Sequence, residues 1–297
     1  MTQLSGLFTP IATPFRAGEV DSTALARNVE HWMGTSLAGL VILGSNGEAV
    51  HLSESEADQV VAVVRNVMPS GRPLIVGTGR ESTRATIEAT RRAAGAGADA
   101  VIVRTPGFYR GQMTTDALVR HYSLVADASP VPLLLYNVQM YTGVSLNPAG
   151  VERLAEHPNI VGIKESGGDI GQIAEVVSRT PRGFAVLAGS ATTFCAALCA
   201  GCSGGVLALA GLVPDACRRM MTLVSEGDLE AARQLQRQLT PLARSVGTLY
   251  GVAGFKAALD LIGLAGGVPR EPLTALAPDA VAEIRGQLIQ LGLDVRL

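Results

Sequence analysis

Eight short apolar runs, each trailed by a stretch with helical patterning, constrain this chain more than any other feature. They occupy residues 7–13, 37–44, 73–78, 98–105, 131–137, 160–166, 184–190 and 205–210, with starts roughly 20 to 35 residues apart. That spacing is one βα unit per run. Several runs are nearly continuous Val, Ile and Leu, as parallel strands covered on both faces require. Helix starts are marked between them: Asp21, Ser53 with Glu56 at capping-box spacing, Glu81-Ser82-Thr83, and Thr114-Thr115-Asp116. Eight strands alternating with helices predict an α/β fold, a closed (β/α)8 TIM barrel over residues 1–211. After the eighth run the alternation stops. Residues 212–297 read as a C-terminal helical appendage packed on the barrel, with a turn at Ser225-Glu226-Gly227-Asp228 and a helix over 251–263.

Composition removes several classes. The 297 residues are 47% hydrophobic and 17% charged, which excludes a disordered chain, and 34 glycines without a triplet period exclude collagen. A net charge of −2 without a basic run argues against a nucleic-acid partner. The first basic side chain is Arg16, so no positive region precedes an apolar leader. Residues 183–214 carry no charge, yet glycines and hydroxyl residues interrupt them, and they read as strand, helix, strand rather than a membrane span. Cys195, Cys199, Cys202 and Cys217 are expected as small buried hydrophobes, with no metal, since no histidine lies near them. His31, His51, His121 and His157 lack ligand spacing and are expected at solvent-side or helix-face positions. A cytoplasmic location is expected.

Barrels of this kind place their chemistry at the C-terminal ends of the strands. Lysine is the informative residue there. Of 24 basic side chains only Lys164 and Lys256 are lysines. A chain that uses arginine for ordinary charge keeps lysine where an amine is needed, because arginine cannot give up its proton. Lys164 ends the run Ile160-Val161-Gly162-Ile163, where desolvation disfavours an ammonium and leaves the amine free to attack a carbonyl. The plainer alternative is a barrel lysine paired with Glu48 or Glu165. Lys256 is expected as a helix-face or subunit-contact charge. Imine chemistry needs a proton shuttle, and Tyr136 at the end of the neighbouring strand can serve, with Ser45 or Tyr109 as relay. Each tyrosine alone is explained equally well by packing. The turn Gly44-Ser45-Asn46-Gly47 offers backbone N–H groups to an anion such as a carboxylate. It is no phosphate-binding loop, since no Gly-Lys-Ser/Thr follows, and no Gly-x-Ser-x-Gly elbow marks a serine hydrolase.

Taken in order, Gly44-Ser45-Asn46-Gly47-Glu48, Tyr136-Asn137-Val138, Thr142-Gly143 and Gly162-Ile163-Lys164-Glu165-Ser166 resemble the dihydrodipicolinate synthase / N-acetylneuraminate lyase family of pyruvate-dependent class I aldolases. The resemblance spans essentially the whole chain. It implies that Lys164 forms the Schiff base with pyruvate or another 2-oxo acid. Tyr136 would relay protons with Ser45 and with Tyr109, which in that family reaches into a neighbouring subunit. The Ser45-Asn46 turn would hold the carboxylate, and Gly189 and Leu207 would line the pocket. It also implies no metal or organic cofactor, and a homotetramer built as a dimer of dimers.

Within the family the synthases usually carry Tyr-Asn-Val-Pro-x-Arg-Thr-Gly, whose arginine helps hold the aldehyde's carboxylate. Here Gln139 and Tyr141 replace the proline and that arginine. Gly-Ser-Asn-Gly-Glu, Phe108-Tyr109-Arg110-Gly111 and Lys164-Glu165-Ser166-Gly167-Gly168-Asp169 look most like the 4-hydroxy-2-oxoglutarate aldolases, in which the serine at position 166 would contact the distal carboxylate. Cleavage of 4-hydroxy-2-oxoglutarate to pyruvate and glyoxylate is therefore the leading expectation. Condensation of pyruvate with aspartate semialdehyde is the second, and a deoxy-keto sugar acid aldolase or dehydratase the third. A non-catalytic 2-oxo-acid sensor is the alternative from another class, and intact Lys164 and Tyr136 argue against it.

Overall fold

The computed structural model describes residues 4–296. Eight parallel strands close into a barrel: β1 (Gly6–Pro10), β2 (Gly39–Ile42), β3 (Leu74–Gly77), β4 (Ala100–Arg104), β5 (Leu133–Asn137), β6 (Ile160–Glu165), β7 (Ala185–Ala188) and β8 (Gly204–Val206). Each pairs with its neighbours in sequence, and β8 closes on β1 through Gly6 opposite Gly204. The (β/α)8 barrel expected from the eight runs is therefore the fold.

The strands are shorter than the apolar runs. The first run extends to Thr13, but its strand ends at Pro10, with one further bond to the neighbouring strand from Ile11 N to Val41 O at 3.0 Å. The last run reaches Ala210, whereas β8 stops at Val206 and residues Ala208–Gly211 turn as a 3-10 helix. Ile11, Ala12, Leu207, Leu209 and Ala210, beyond these strand ends, join the core beneath the helices instead. A two-stranded hairpin, Phe15–Arg16 against Glu19–Val20, follows β1 and had no counterpart among the runs.

Alternation along the strands sorts side chains into two cores. Phe8, Val41, Ile75, Ile102, Leu134, Tyr136, Leu187 and Val206 fill the barrel interior. Leu7, Leu40, Ile42, Leu74, Val76, Val101, Val103, Leu135 and Ile163 point outwards and pack beneath the helices. This period of two decides the chemistry of β6: Lys164 faces inwards beside Tyr136, while Glu165 faces the helical layer.

The surrounding helices are α1 (Ser22–Met33), α2 (Glu54–Val67), α3 (Thr83–Gly95), α4 (Thr115–Ala128), α5 (Pro148–Ala155), α6 (Ile170–Arg179), α7 (Phe194–Cys199) and α8 (Pro214–Ser225). Ser53 forms the full capping box with Glu56 at the start of α2. Beyond α8 the chain continues through α9 (Leu229–Arg244), a single π-helical turn (Ser245–Leu249), α10 (Gly251–Leu261) and α11 (Pro278–Gln290). Trp32 of α1 is fully buried and donates its indole N–H to the Gly211 carbonyl at 3.0 Å, tying the first helix to the loop after β8. No helix among the described residues is long and apolar enough to cross a membrane, and no group of three or more His, Cys, Asp or Glu side chains among them could hold a metal ion.

Candidate active site

Residues from six strand ends and from the C-terminal helices surround a cavity of about 80 Å³ at the barrel mouth. Tyr136 and Lys164 stand opposite one another in the β5–β6 register, so both side chains enter at one level. Lys164 Nζ lies 4.3 Å from the centroid of the Tyr136 ring. Both residues are buried, and neither Glu48 nor Glu165 pairs with Lys164. The plainer reading of Lys164 as one half of an ion pair with either carboxylate is thus corrected: each has other partners. Lys164 is the one charged side chain among the described residues that line the cavity.

Ser45 Oγ lies 3.3 Å from Tyr136 Oη, within hydrogen-bond reach in either direction. Its turn closes on itself, with Gly47 N donating to Gly44 O at 3.2 Å and Glu48 N to Ser45 O at 3.1 Å. Thr13 Oγ1 fastens it to β1 through a 2.7 Å bond to the Gly47 carbonyl. Asn46, Ser166 and Gly189 line the cavity with Lys164 and Tyr136. A Cβ at Gly189 would fall 2.0 Å from Ser166 Oγ, so a side chain there would have to displace the serine. The Gly189 N–H donates to the Glu165 carbonyl at 2.7 Å, which holds the ends of β6 and β7 together.

Glu165, on the outward face, braces the loop that carries Ser166. Its carboxylate accepts bonds from Asn137 Nδ2 at 2.6 Å, Gly167 N at 2.7 Å and Gln172 Nε2 at 3.0 Å. Burial pushes its pKa above the usual carboxylate range, and these three donors work against that rise. Asn137 also accepts from Leu146 N at 3.0 Å, so one buried polar network fixes the ends of β5 and β6.

Three of the expected residues are outside the lining, Ser45 among them although it touches Tyr136. Leu207 is fully buried, and the cavity is lined by its neighbours Val206 and Ala208. Tyr109 is 67% exposed on the loop after β4, edge-on to Phe108, and does not line its own chain's cavity. That loop is held from below by Glu81, which accepts from Gly107 N and Phe108 N at 2.9 Å each.

Other lining residues were not among the expected site residues, although the run 184–190 ends on Ser190 and Tyr141 stood out for replacing the family's arginine. Ser190 and Thr192 follow β7, and Val138, Met140 and Tyr141 follow β5. Tyr141 is half-exposed at the rim of the cavity. Ala243, Val246, Gly247 and Thr248 come from the end of α9 and the π-helical turn after it. Pro241 inside α9 and Gly247 six residues later were the available signal, since a proline and a glycine so close interrupt regular helix.

The family model described as dihydrodipicolinate synthetase family matches residues 3–291. A 4-hydroxy-tetrahydrodipicolinate synthase of Methanothrix thermoacetophila is 36% identical over 288 residues, covering 96% of each chain. The solved 4-hydroxy-tetrahydrodipicolinate synthase of Methylacidiphilum fumariolicum SolV superposes with a TM-score of 0.92 at 32% identity, over 97% of this chain and 96% of its own. The chloride-inhibited dihydrodipicolinate synthase of Acinetobacter baumannii, solved with pyruvate, gives a TM-score of 0.90 at 32% identity, over 98% of this chain and all (100%) of its own. These names match the second enzyme expectation and not 4-hydroxy-2-oxoglutarate aldolase, which had led.

Proposed function

The chain belongs to the dihydrodipicolinate synthetase family, and from that premise we propose that it condenses pyruvate with an aldehyde through an imine on Lys164, with aspartate semialdehyde as the first acceptor. The observation that carries this reading is an unpaired, buried lysine amine facing the Tyr136 ring, with the Ser45 hydroxyl 3.3 Å from the Tyr136 hydroxyl. The amine attacks the pyruvate ketone to give a carbinolamine. Loss of water, with the proton delivered through Tyr136 and Ser45, gives the imine. Loss of a methyl proton yields the enamine, whose carbon attacks the aldehyde, and water then releases the product and the free lysine. Asn46 and the turn around it are suited to the pyruvate carboxylate. Tyr109, exposed and away from its own cavity, would complete the site of a second copy in a homotetramer.

Cleavage of 4-hydroxy-2-oxoglutarate stays as a second reading because Ser166 lines the cavity while no arginine does. Incubation with pyruvate and borohydride followed by peptide mass spectrometry tests the shared step. A reduced pyruvate adduct on Lys164 supports the imine, and its absence in folded protein refutes it. Turnover with aspartate semialdehyde, with glyoxylate, and in the cleavage direction then separates the two readings.

A further inference from the structure

The second lysine is as buried as the first. Lys256, expected as a helix-face or subunit-contact charge, is 0% exposed, and its Nζ bonds the Glu48 carboxylate. Glu48 closes the turn that carries Ser45 and Asn46, and it does so with a left-handed backbone (φ 54°) that a non-glycine residue adopts only at a cost. Something must hold it there. Its side chain leaves the turn for a closed site where Lys256 of α10 meets one oxygen, and Arg270 N, at 2.8 Å, meets the other. Both cations approach the Phe15 ring, whose centroid is 4.4 Å from Lys256 Nζ and 4.3 Å from Arg270 Cζ. Arg270 is itself fixed by two bonds to Glu56, at 2.7 and 3.0 Å. The helix that supplies Lys256 begins directly after the π-helical turn that lines the cavity.

We infer that Lys256 and Glu48 are positioning residues for the proton relay: through their buried contact the C-terminal helices set where the Ser45–Asn46 turn stands relative to Tyr136. An apolar pair would fill the same volume and would not direct Glu48's backbone. Misplacement of a relay group by about 1 Å costs on the order of 100-fold in rate, and the bond from Ser45 to Tyr136, at 3.3 Å, has little length to spare. The part of the inference concerning rate rests on the imine reading above.

A single substitution would strand a buried charge, so the test uses the double variant Glu48→Leu/Lys256→Met, in which neither charge remains. The full chain is labelled with 3-fluorotyrosine, and the Tyr136 resonance is assigned by its loss in Tyr136→Phe. The double variant is expected to move that resonance towards its position in Ser45→Ala, and to lower kcat at least 10-fold. In the Ser45→Ala background the same two substitutions should lower kcat little further, since the relay they position is already gone. A Tyr136 resonance at the wild-type position, or an undiminished kcat loss in the Ser45→Ala background, overturns the inference. Should the resonance move while wild-type protein captures no pyruvate, the positioning role stands and the imine reading fails.

Discussion

Lys164 and Tyr136 meet because two adjacent parallel strands place them at one level with both side chains inwards. Tyr136→Phe keeps the ring beside Lys164 and removes only the hydroxyl, so it isolates the proton-transfer role. We expect kcat to fall by about 100- to 10,000-fold, the usual contribution of a positioned acid–base group, while borohydride still captures pyruvate on Lys164. A variant that turns over normally would return Tyr136 to a packing role. The scarcity of lysine, two among 24 basic residues, made Lys164 legible before any coordinates. Lys256 is as scarce, yet it was expected only as a helix-face or subunit-contact charge, because its partner lies 208 residues earlier in the chain. A helical position in a sequence reveals a face of the helix; it does not reveal what a distant turn will bring against that face.

Among the elements, the strand windows were readable from runs of Val, Ile and Leu, and alternation then assigned inward and outward residues. The π-helical turn between α9 and α10 was not. Its apolar residues continue the helical text, and only Pro241 and Gly247 hint that the register breaks where the cavity needs a wall. Where a cap is written in the sequence it is also realised: the Ser53 hydroxyl accepts from Glu56 N, and the Glu56 carboxylate accepts from Ser53 N. Ser53→Ala is expected to cost about 1 kcal/mol, seen as a lower urea midpoint with an unchanged slope. A larger loss would show that Glu56, which also holds Arg270, moves when its cap is removed. Between β6 and β7, Gly189→Ala should displace Ser166 rather than the backbone, because the added carbon would overlap the serine hydroxyl. Selectivity between acceptor aldehydes is the measurement that reads this. Retained selectivity would mean that Ser166 touches no acceptor.

At the scale of the whole molecule, stability should respond to pH through one histidine. His121 on α4 is buried, its Nδ1 2.9 Å from Thr83 Oγ1, and its other ring nitrogen has no partner. Burial pushes its pKa down to about 4, with Glu81 acting weakly in the opposite direction. The unfolded chain, with an ordinary histidine near 6.5, therefore takes up more protons between those values. The contribution is present above about pH 6.5 and is lost as pH falls towards 4, by about 3 kcal/mol at most. Glu56 acts in a lower window: Arg270 holds its pKa at about 2, so its share is lost only below the ordinary carboxylate range. Urea denaturation at pH 7 and at pH 4.5 should show a marked drop in wild-type protein and a smaller one in His121→Gln. An equal drop in both would place the sensitivity elsewhere. The barrel itself was legible from the spacing of its eight runs; the protonation of an interior histidine depends on what two helices bury between them, which spacing alone does not report.

Both lysines of the chain are interior, at 5% and 0% exposure, and every other basic side chain is an arginine. The outer face of the folded molecule therefore displays guanidinium groups and no lysine amine. Acylating labels and amine-directed cross-linkers will find no lysine amine to attack on it. A carbonyl compound approaching from solution likewise meets no decoy: the first lysine it can condense with is the one at the bottom of the cavity.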